Sequence, residues 1–553
     1  MNFTRLVVEG LAYRARAFEK ATKDPLGAQE RVLLKYINRN RRTEYASRYN
    51  FSSVKSIKDF RARVPLSDYA AIKPYVDRMK NGEHDVLTAD RVTFFGITSG
   101  STGEPKFIPV TRYSISRKAD LMNLWAYYTA KDHPKVFNGR ILGIISPEVK
   151  SHTPAGIPYG PEDGHAYNNL PAPVKRLYAL PYEIFYIDDY DARYYCILRF
   201  AMEEDITTLA TLNPSTYVLL CQRIPAMQDR IIYDIERGAI DESLNISVEM
   251  RAILSARLRP NAGRAAELRK IARERGELLP KYFWPHLDLI ECWKGGTVKL
   301  YLKMLPHYFG GVAIRDFGCL STEARSSVPI SDEGAGGVLA VESNFYEFIP
   351  KEDLDKENKR VLLCDELEKG GEYLLVATTP GGLYRYNIDD VIRVDGFFNK
   401  TPVIEFVQKG HNVVSLTGEK VYESHIIEAV LAAASKSRAV AHSFAASVIM
   451  GDVPRYVFLI EFANNPDTEE KNRFLRLAEK ELRALNSEYD DLRKQQLLAF
   501  PSLKVIKRGE FERYKRERVK AGSHDTQFKM PRLVFSPEFQ QYFASEEEIF
   551  IDR

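Results

Sequence analysis

The chain has 553 residues, several times what one compact domain needs, so we expect more than one folding unit. Lysine and arginine number 79 and aspartate and glutamate 75, and this near balance argues against a dedicated nucleic-acid-binding protein, which needs a concentrated basic face. A hydrophobic fraction of 44% excludes a mainly disordered chain, and no run approaches the roughly 18 apolar residues of a membrane span.

The cysteines, the histidines and the first twenty residues predict a cytoplasmic protein. The five cysteines are scattered, without a Cys-x-x-Cys pair, so neither a disulfide framework nor a zinc site is expected. The ten histidines include no pair at helical ligand spacing. The first twenty residues carry Glu9 and Glu19 and lack a long apolar stretch, so they do not resemble a secretory signal.

Helical patterns dominate up to about residue 275. The apolar spacing predicts helices over 3–21, 29–38, 113–130 and 191–203. Asp191 is the expected cap of the last of these, and Asn213-Pro214-Ser215 supplies a cap and a first-turn proline for a further helix. One short strand, over 140–147, is expected between the helices over 113–130 and 191–203.

Strand patterns follow, over 286–292, 371–379 and 401–408, until Lys409-Gly410 breaks the run. Beyond it the pattern predicts a helix over 423–434, strands over 443–450, 455–462 and 503–506, and a long charged helix before the last strand. The charged run 508–520 also contains three glutamates, which is typical of a solvated helix face and not of a nucleic-acid site. We therefore predict two bodies, a large α/β domain over 1–409 and a small mobile α+β domain over 410–553, hinged near residue 409.

The segment TSGSTG at 98–103 is the strongest chemical signal. Glycines let the backbone turn its N–H groups toward one centre, and hydroxyls add donors, so the pattern favours a phosphate cradle, with Lys106 as a nearby cation. A plain surface turn has the same composition and stays an alternative. A Walker loop is excluded because Glu104 and Pro105 follow Gly103, and neither the dinucleotide glycine spacing nor a Gly-x-Ser-x-Gly elbow is present.

A set of further strings occurs in one order along the whole chain: TEYASRYNF at 43–51, VPLSDYAAIKPYVDRMKNGE at 64–83, TSGSTGEPKFIPVT at 98–111, NPST at 213–216, STE at 321–323, YEFIP at 346–350, GLYRYNIDDVIRV at 382–394, VSLTGEKVYE at 414–423 and QFKMPRLV at 527–534. In these the chain resembles bacterial-type members of the auxin-responsive acyl-acid amido synthetase (Gretchen Hagen) family, within the acyl-adenylating superfamily. The resemblance implies a large composite N-terminal body of β-sheets flanked by helices, with a β-barrel part, and a small mobile C-terminal domain.

The resemblance also implies roles for individual residues. The phosphate loop and its neighbours would bind ATP, through Ser99, Gly100, Ser101, Thr102, Gly103, Lys106 and Thr322. Glu323 would hold the magnesium that accompanies ATP, and Asp390 would accept hydrogen bonds from both ribose hydroxyls. Lys409 and Lys420 would face the nucleotide, and Lys529 would meet the developing charge on phosphate and carboxylate. Without the resemblance, Glu323 reads as a solvated loop glutamate, Asp389-Asp390 as a turn, and each lysine as a surface residue.

The chain departs from the family pattern at three places. Cys319 stands where many members carry an aromatic residue beside the expected adenine. Asp389 stands where members usually have glycine, and the string RSSVPI after Glu323 is unusual.

The function expected from the resemblance is adenylation of a carboxylic acid by Mg-ATP, followed by transfer of the acyl group to an amine, an amino acid above all. The alternatives are an acyl-CoA ligase that uses the same adenylate and a catalytically silent nucleotide-binding protein. No nucleic-acid or membrane partner is expected, and the sequence indicates neither the particular acid nor the oligomeric state.

Overall fold

A computed structural model describes residues 3–98, 106–295, 298–354, 356, 358–410, 413–414, 416, 419, 421–451, 453–494, 498–520 and 528–551. The chain forms two compact units, Met1–Phe406 and Val407–Arg553. None of the helices in the described part of the chain is both long and apolar enough to cross a membrane.

The helices of the first unit are α1 Phe3–Ala21, α2 Pro25–Asn40, α3 Glu44–Arg48, α4 Ile57–Arg63, α5 Tyr69–Lys80, α6 Arg112–Asp132, α7 Glu162–Asn168, α8 Ala172–Lys175, α9 Tyr190–Ala201, α10 Ser215–Arg237, α11 Val248–Ser255, α12 Ala262–Arg275, α13 Pro280–Phe283, α14 Lys299–Leu302 and α15 Leu305–Phe309. The predicted helices over 3–21, 29–38, 113–130 and 191–203 are all confirmed, the first to the residue and the others with shifted ends. Helix α2 begins four residues before its predicted start because the side chain of Asp24 caps the Gly27 N–H and Pro25 occupies the first turn.

The predicted cap of α9 is wrong, and Pro214 lies at the N-cap of α10, one position before the predicted first turn. Helix α9 is capped by Asp189, whose carboxylate accepts a hydrogen bond from the Ala192 N–H at 2.8 Å, whereas Asp191 lies in the first turn. Both aspartates suit the positive end of a helix, so composition alone does not separate them.

The strands that begin in the first unit, the last of which continues to Lys409 in the second, are β1 Val92–Thr98, β2 Lys106–Thr111, β3 Arg140–Gly143, β4 Ser151–His152, β5 Pro158–Gly160, β6 Ile206–Ala210, β7 Leu289–Glu291, β8 Ala313–Arg315, β9 Ser327–Val328, β10 Gly337–Leu339, β11 Phe345–Pro350, β12 Glu372–Thr378, β13 Tyr386–Phe398 and β14 Thr401–Lys409. They form three sheets, ordered β2-β1-β5-β4, β3-β6-β7-β8 and β11-β12-β13-β14-β10-β9. The second of these is parallel throughout, and its strands β3 and β7 are shorter than the predicted runs 140–147 and 286–292.

The first helices pack on the six-stranded sheet. Phe60 of α4 meets Phe345 of β11 edge to face at 5.9 Å, and both rings are fully buried. The same core includes Phe95 and Ile108 of the β1-β2 hairpin and Ile388 of β13, the segments that carry candidate site residues.

The second unit contains β15 Val413–Val414, β16 Val421–Tyr422, α16 Glu423–Lys436, β17 Ala441–Ile449, β18 Arg455–Phe462, α17 Thr468–Leu485, α18 Ser487–Lys494, β19 Ser502–Ile506, α19 Glu510–Lys520 and β20 Ser545–Ile549. The sheet β17-β18-β19-β20 is mixed, because β18 and β19 run parallel while the outer pairs run antiparallel. The predicted helix and strands of this unit are confirmed, and β20, which pairs along β19, is an addition that its sequence SEEEI did not reveal.

Candidate functional site

The predicted phosphate loop connects the two strands of a hairpin. β1 pairs antiparallel with β2, and the last partners before the loop are Thr98 and Lys106. Lys106 is half-buried, with its ammonium 5.9 Å from the centre of the Tyr69 ring. The predicted nucleotide contacts Ser99, Gly100, Ser101, Thr102 and Gly103 lie outside the described residues.

Thr322 packs against the strand that leads into this loop. A Cβ placed on Gly96 of β1 would lie only 2.6 Å from the Thr322 methyl carbon, so a side chain at this position of the strand would have to displace Thr322. The turn itself is closed by Ser321, whose hydroxyl accepts from the Ala324 N–H at 3.2 Å and whose N–H donates to the Ala324 carbonyl at 2.9 Å. The structure therefore brings Thr322 and the loop-bearing hairpin together.

Glu323 is a buried carboxylate, with 8% of its surface exposed, and is not the solvated loop glutamate that its composition alone would predict. Burial raises the pKa of the Tyr386 phenol, at the start of β13, above its usual value, and the nearby charge of Glu323 raises it further. The turn and β13 thus meet at the site.

Asp390 lies in a bulge of β13. Leu374 of β12 pairs with Val391, but Val376 pairs with Asn387, so Ile388, Asp389 and Asp390 stand opposite a single residue. Such bulges re-aim side chains and are common beside functional sites. Asp389, at the position of the family's glycine, has φ +66°, and its N–H donates to the Asn387 side-chain oxygen at 2.9 Å.

Cys319 is packed into the core beside this bulge. Its N–H donates to the Ser327 hydroxyl at 2.9 Å, and only 8% of the residue is exposed. Burial raises the pKa of the thiol, and the carboxylates of Asp316 and Asp390 raise it further. The thiol therefore stays protonated, and it lies within the electrostatic reach of Asp390, the predicted ribose contact.

A small pocket joins the turn to the start of α6. Its polar lining includes hydroxyl, guanidinium, ammonium and carboxylate groups, from Ser114, Arg117, Lys118, Thr322, Glu323 and Arg325. Among the described residues no group of three or more histidines, cysteines, aspartates or glutamates could hold a metal by itself. One buried carboxylate beside donors for anionic oxygens fits a magnesium ion that takes its other ligands from phosphate and water. The residues present therefore fit Mg-ATP.

Three cations of this pocket, Arg117, Lys118 and Arg325, were not predicted from the sequence. Lys118 of α6 donates to the Thr322 carbonyl at 2.9 Å and pairs with Glu162, the first residue of α7. Arg325 is 2% exposed, and one of its Nη atoms donates to the Phe317 carbonyl at 2.9 Å while the other contacts the sulfur of Met122. Burial lowers the pKa of Arg325 to about 10. Only the unusual RSSVPI string pointed to Arg325, and nothing in the sequence distinguished Lys118 from other lysines.

The second unit carries the remaining predicted lysines. Lys409 ends β14, Lys529 is exposed in an irregular segment, and Lys420 lies outside the described residues. The segment after Lys529 is tied to its own unit, since the Arg532 N–H donates to the Glu423 carboxylate at 2.5 Å and its carbonyl accepts from the Ala446 N–H at 2.7 Å. Lys529 thus precedes an anchored stretch of chain near the start of α16.

Comparison with known proteins decides the family. Models of the GH3 family match in chain order: the N-terminal domain over residues 14–314, the central domain over 337–409 and the C-terminal domain over 424–538. The chain belongs to the GH3 family. The family predicted from the sequence strings is therefore confirmed.

Named relatives of this GH3 protein span nearly its whole length. It is 26% identical to the jasmonoyl--L-amino acid synthetase JAR4 of Nicotiana attenuata, over 94% of this chain and 92% of the relative. It is 24% identical to the indole-3-acetic acid-amido synthetase GH3.3 of Arabidopsis thaliana, again over 94% of this chain and 92% of the relative.

A solved structure of the GH3.15 acyl acid amido synthetase superposes with a TM-score of 0.85 at 23% identity, covering 97% of this chain and 96% of that one. At this sequence identity the structural similarity is evidence for the fold alone. The predicted α/β fold with a separate small C-terminal part is confirmed.

Proposed function

We propose that this GH3 protein is an ATP-dependent acyl-acid amido synthetase, a ligase that adenylates a carboxylic acid and passes the acyl group to the amine of an amino acid. The observation that carries the proposal is the ordered match of all three GH3 domains. The contact between Thr322 and the loop-bearing strand β1 supports it, because nucleotide binding needs these segments side by side. The relative named as a jasmonoyl--L-amino acid synthetase supports the choice of acceptor.

The chemistry explains why ATP is needed. A carboxylate repels nucleophiles, and oxide is a poor leaving group. In the first half-reaction a carboxylate oxygen attacks the α-phosphorus, the bond to the β-phosphate breaks, and pyrophosphate leaves. In the second, the amine nitrogen attacks the acyl carbon, the bond to AMP breaks, and the amine loses a proton as the amide forms.

The chain's contribution is positioning and electrostatic stabilisation. We assign Ser99, Gly100, Ser101, Thr102, Gly103, Lys106 and Thr322 to the phosphates, and Lys409 and Lys420 to the nucleotide. Asp390 binds the ribose, and Lys529 meets the charge that develops between carboxylate and phosphate. Glu323 would hold magnesium, which neutralises phosphate charge when it is bound with ATP.

The compartment proposed is the cytoplasm. All five cysteines lie among the described residues, and each is buried and free. Free thiols suit a reducing compartment.

The decisive experiment measures pyrophosphate release from the purified protein over a panel of carboxylic acids, including jasmonate and indole-3-acetate. Product mass is then determined with amino acids and, separately, with coenzyme A. An amide product formed with an amino acid supports the proposal, whereas a thioester formed only with coenzyme A would make the protein an acyl-CoA ligase. A folded preparation that binds ATP and turns over no acid would favour the silent nucleotide-binding alternative.

A further inference from the structure

We propose that Lys118 is a positioning residue for Glu323. It holds the peptide that precedes this carboxylate and so sets the affinity of the site for magnesium-bound ATP. The inference rests on the proposed function and concerns a side chain on a different element, α6, more than 200 positions earlier in the chain.

Lys118 acts on the peptide bond between Thr322 and Glu323. The Lys118 ammonium donates to the Thr322 carbonyl oxygen at 2.9 Å. A peptide group is planar, so a fixed carbonyl also fixes the Glu323 N–H and the direction in which the Cα of Glu323 leaves the plane. Lys118 thereby restricts the placement of the Glu323 side chain without touching it.

The Lys118 ammonium is itself held in place by an ion pair. A lysine ammonium is a mobile point charge unless a partner fixes it. Here the partner is Glu162, and the pair is largely buried, with 22% of the lysine and 16% of the glutamate side chain exposed. An ion pair at this depth is screened less than a surface pair.

Glu162 is held in place by the contacts of its helix, α7. Helix α7 is fixed to the 146–148 segment, because the Ser146 N–H donates to Asp163 at 2.8 Å and Nδ1 of His165 lies 2.7 Å from the Glu148 carboxylate. The imidazole also stacks on Phe94 of β1 at 4.0 Å with an interplanar angle of 5°. Two sets of contacts therefore connect β1 with the Ser321–Ala324 turn. Gly96 lies directly against Thr322, and helix α7, which packs on β1, is connected to the Thr322 carbonyl through Lys118.

The function follows from this geometry. Outer groups that orient a metal-binding carboxylate commonly contribute about 10- to 100-fold to metal affinity or activity. Without Lys118 the Ser321–Ala324 turn keeps its own hydrogen bonds but loses the outside constraint on the Thr322 carbonyl. Glu323 then samples orientations that do not suit the magnesium of ATP.

The test is nucleotide binding by calorimetry, with ATP in magnesium and with ATP in EDTA, for wild type, Lys118→Met and Glu162→Gln. We expect Lys118→Met to weaken binding of magnesium-bound ATP about 10-fold or more, and to weaken binding of ATP in EDTA by a clearly smaller factor. Glu162→Gln should shift binding in the same direction by less, and the double variant should resemble Lys118→Met alone, since the two side chains act as one unit.

Lys131→Met is the matched control, because it removes the same charge from an exposed position of the same helix. A loss that is equal with and without magnesium, or unchanged binding in both Lys118→Met and Glu162→Gln, would overturn the inference. If Lys118→Met does not fold, Glu162→Gln against Lys131→Met carries the same comparison. Failure of the wild type to bind ATP would instead overturn the proposed function.

Discussion

Asp389 occupies a backbone conformation that glycine adopts without strain. Its φ of +66° lies in the left-handed region, which costs most residues about 1–2 kcal/mol. Aspartate enters this region more readily than most residues, and here the backbone N–H of residue 389 is held by the Asn387 side chain. The departure from the family's glycine is therefore compatible with the same bulge, which keeps Asp390 in place.

Two substitutions separate conformation from charge at this position. Asp389→Gly and Asp389→Ala both remove the carboxylate, but only alanine keeps a Cβ in the left-handed region. We expect the glycine variant to be more stable than the alanine variant by about 1 kcal/mol. Thermal unfolding of the two proteins measures the difference, and equal midpoints would show that backbone strain at this residue is negligible.

Lys529 is the residue to which the proposed chemistry assigns most of the charge stabilisation. Removing a preorganised donor of this kind costs roughly two to three orders of magnitude in rate. We therefore expect Lys529→Ala to slow acyl-AMP formation by roughly that factor. Lys480→Ala, at an exposed position of α17 in the same unit, is the control. Formation of acyl-AMP at the wild-type rate by Lys529→Ala would show that the assignment is wrong.

At the scale of elements, the parallel sheet β3-β6-β7-β8 ends in buried carboxyl groups. Glu291 closes β7, is 5% exposed, and has its pKa raised to about 8 by burial, although Arg315 and Arg325 pull it down. Asp316, just after β8, has its pKa raised to about 6 by burial, against hydrogen bonds from the Gly318 and Lys294 N–H groups. Ligands of α/β sheets bind at the carboxyl ends of the strands, where these groups lie.

The raised pKa of Glu291 predicts a pH dependence of stability. Between about pH 4.5 and 8 the unfolded chain has already lost the proton that the folded protein keeps, so the unfolded state binds fewer protons and stability falls as pH rises. Glu291→Gln should remove this part of the slope and gain stability relative to wild type on going from pH 5 to pH 8.

Unfolding midpoints of both proteins across this pH range give the comparison. A constant difference between the two curves would mean that Glu291 titrates in the folded protein as it does in the unfolded chain. Asp316 stays in both proteins, so its own contribution cancels.

At the scale of the whole molecule, the division into units gives Lys409 its importance. The sequence places the boundary at Lys409-Gly410, and the compact units divide between Phe406 and Val407. We propose that the small unit rotates about this stretch between the two half-reactions. Movements of this kind are absorbed by a few residues at the ends of elements.

Proline at position 409 tests this hinge, because its ring fixes φ and removes the N–H. We expect Lys409→Pro to adenylate within about threefold of Lys409→Ala and to form the amide about 10-fold or more slowly than Lys409→Ala, since both variants lack the lysine charge and only the second step would need the rotation. Lys409→Ala controls for the lost charge. Single-turnover assays of pyrophosphate and of the amide product separate the steps, and a parallel loss of both in Lys409→Pro alone would argue against a hinge.

Sequence patterns determined the family, the succession of helices and strands, and the residue types available for the chemistry. They could do so because amphipathic spacing, caps and glycine-rich turns act over a few neighbouring residues. Helix α1 was predicted to the residue for this reason, whereas the cap of α9 was not, because two aspartates compete within one turn.

Tertiary structure alone decided which of these residues meet. The contact of Gly96 with Thr322, the bulge that carries Asp390 and the bond from Lys118 to the Thr322 carbonyl join segments far apart in the chain. Burial, too, follows only from packing, and it is burial that sets the pKa values of Glu291 and Arg325. Local sequence patterns do not predict such long-range contacts, because these contacts are selected by the free energy of packing the whole core.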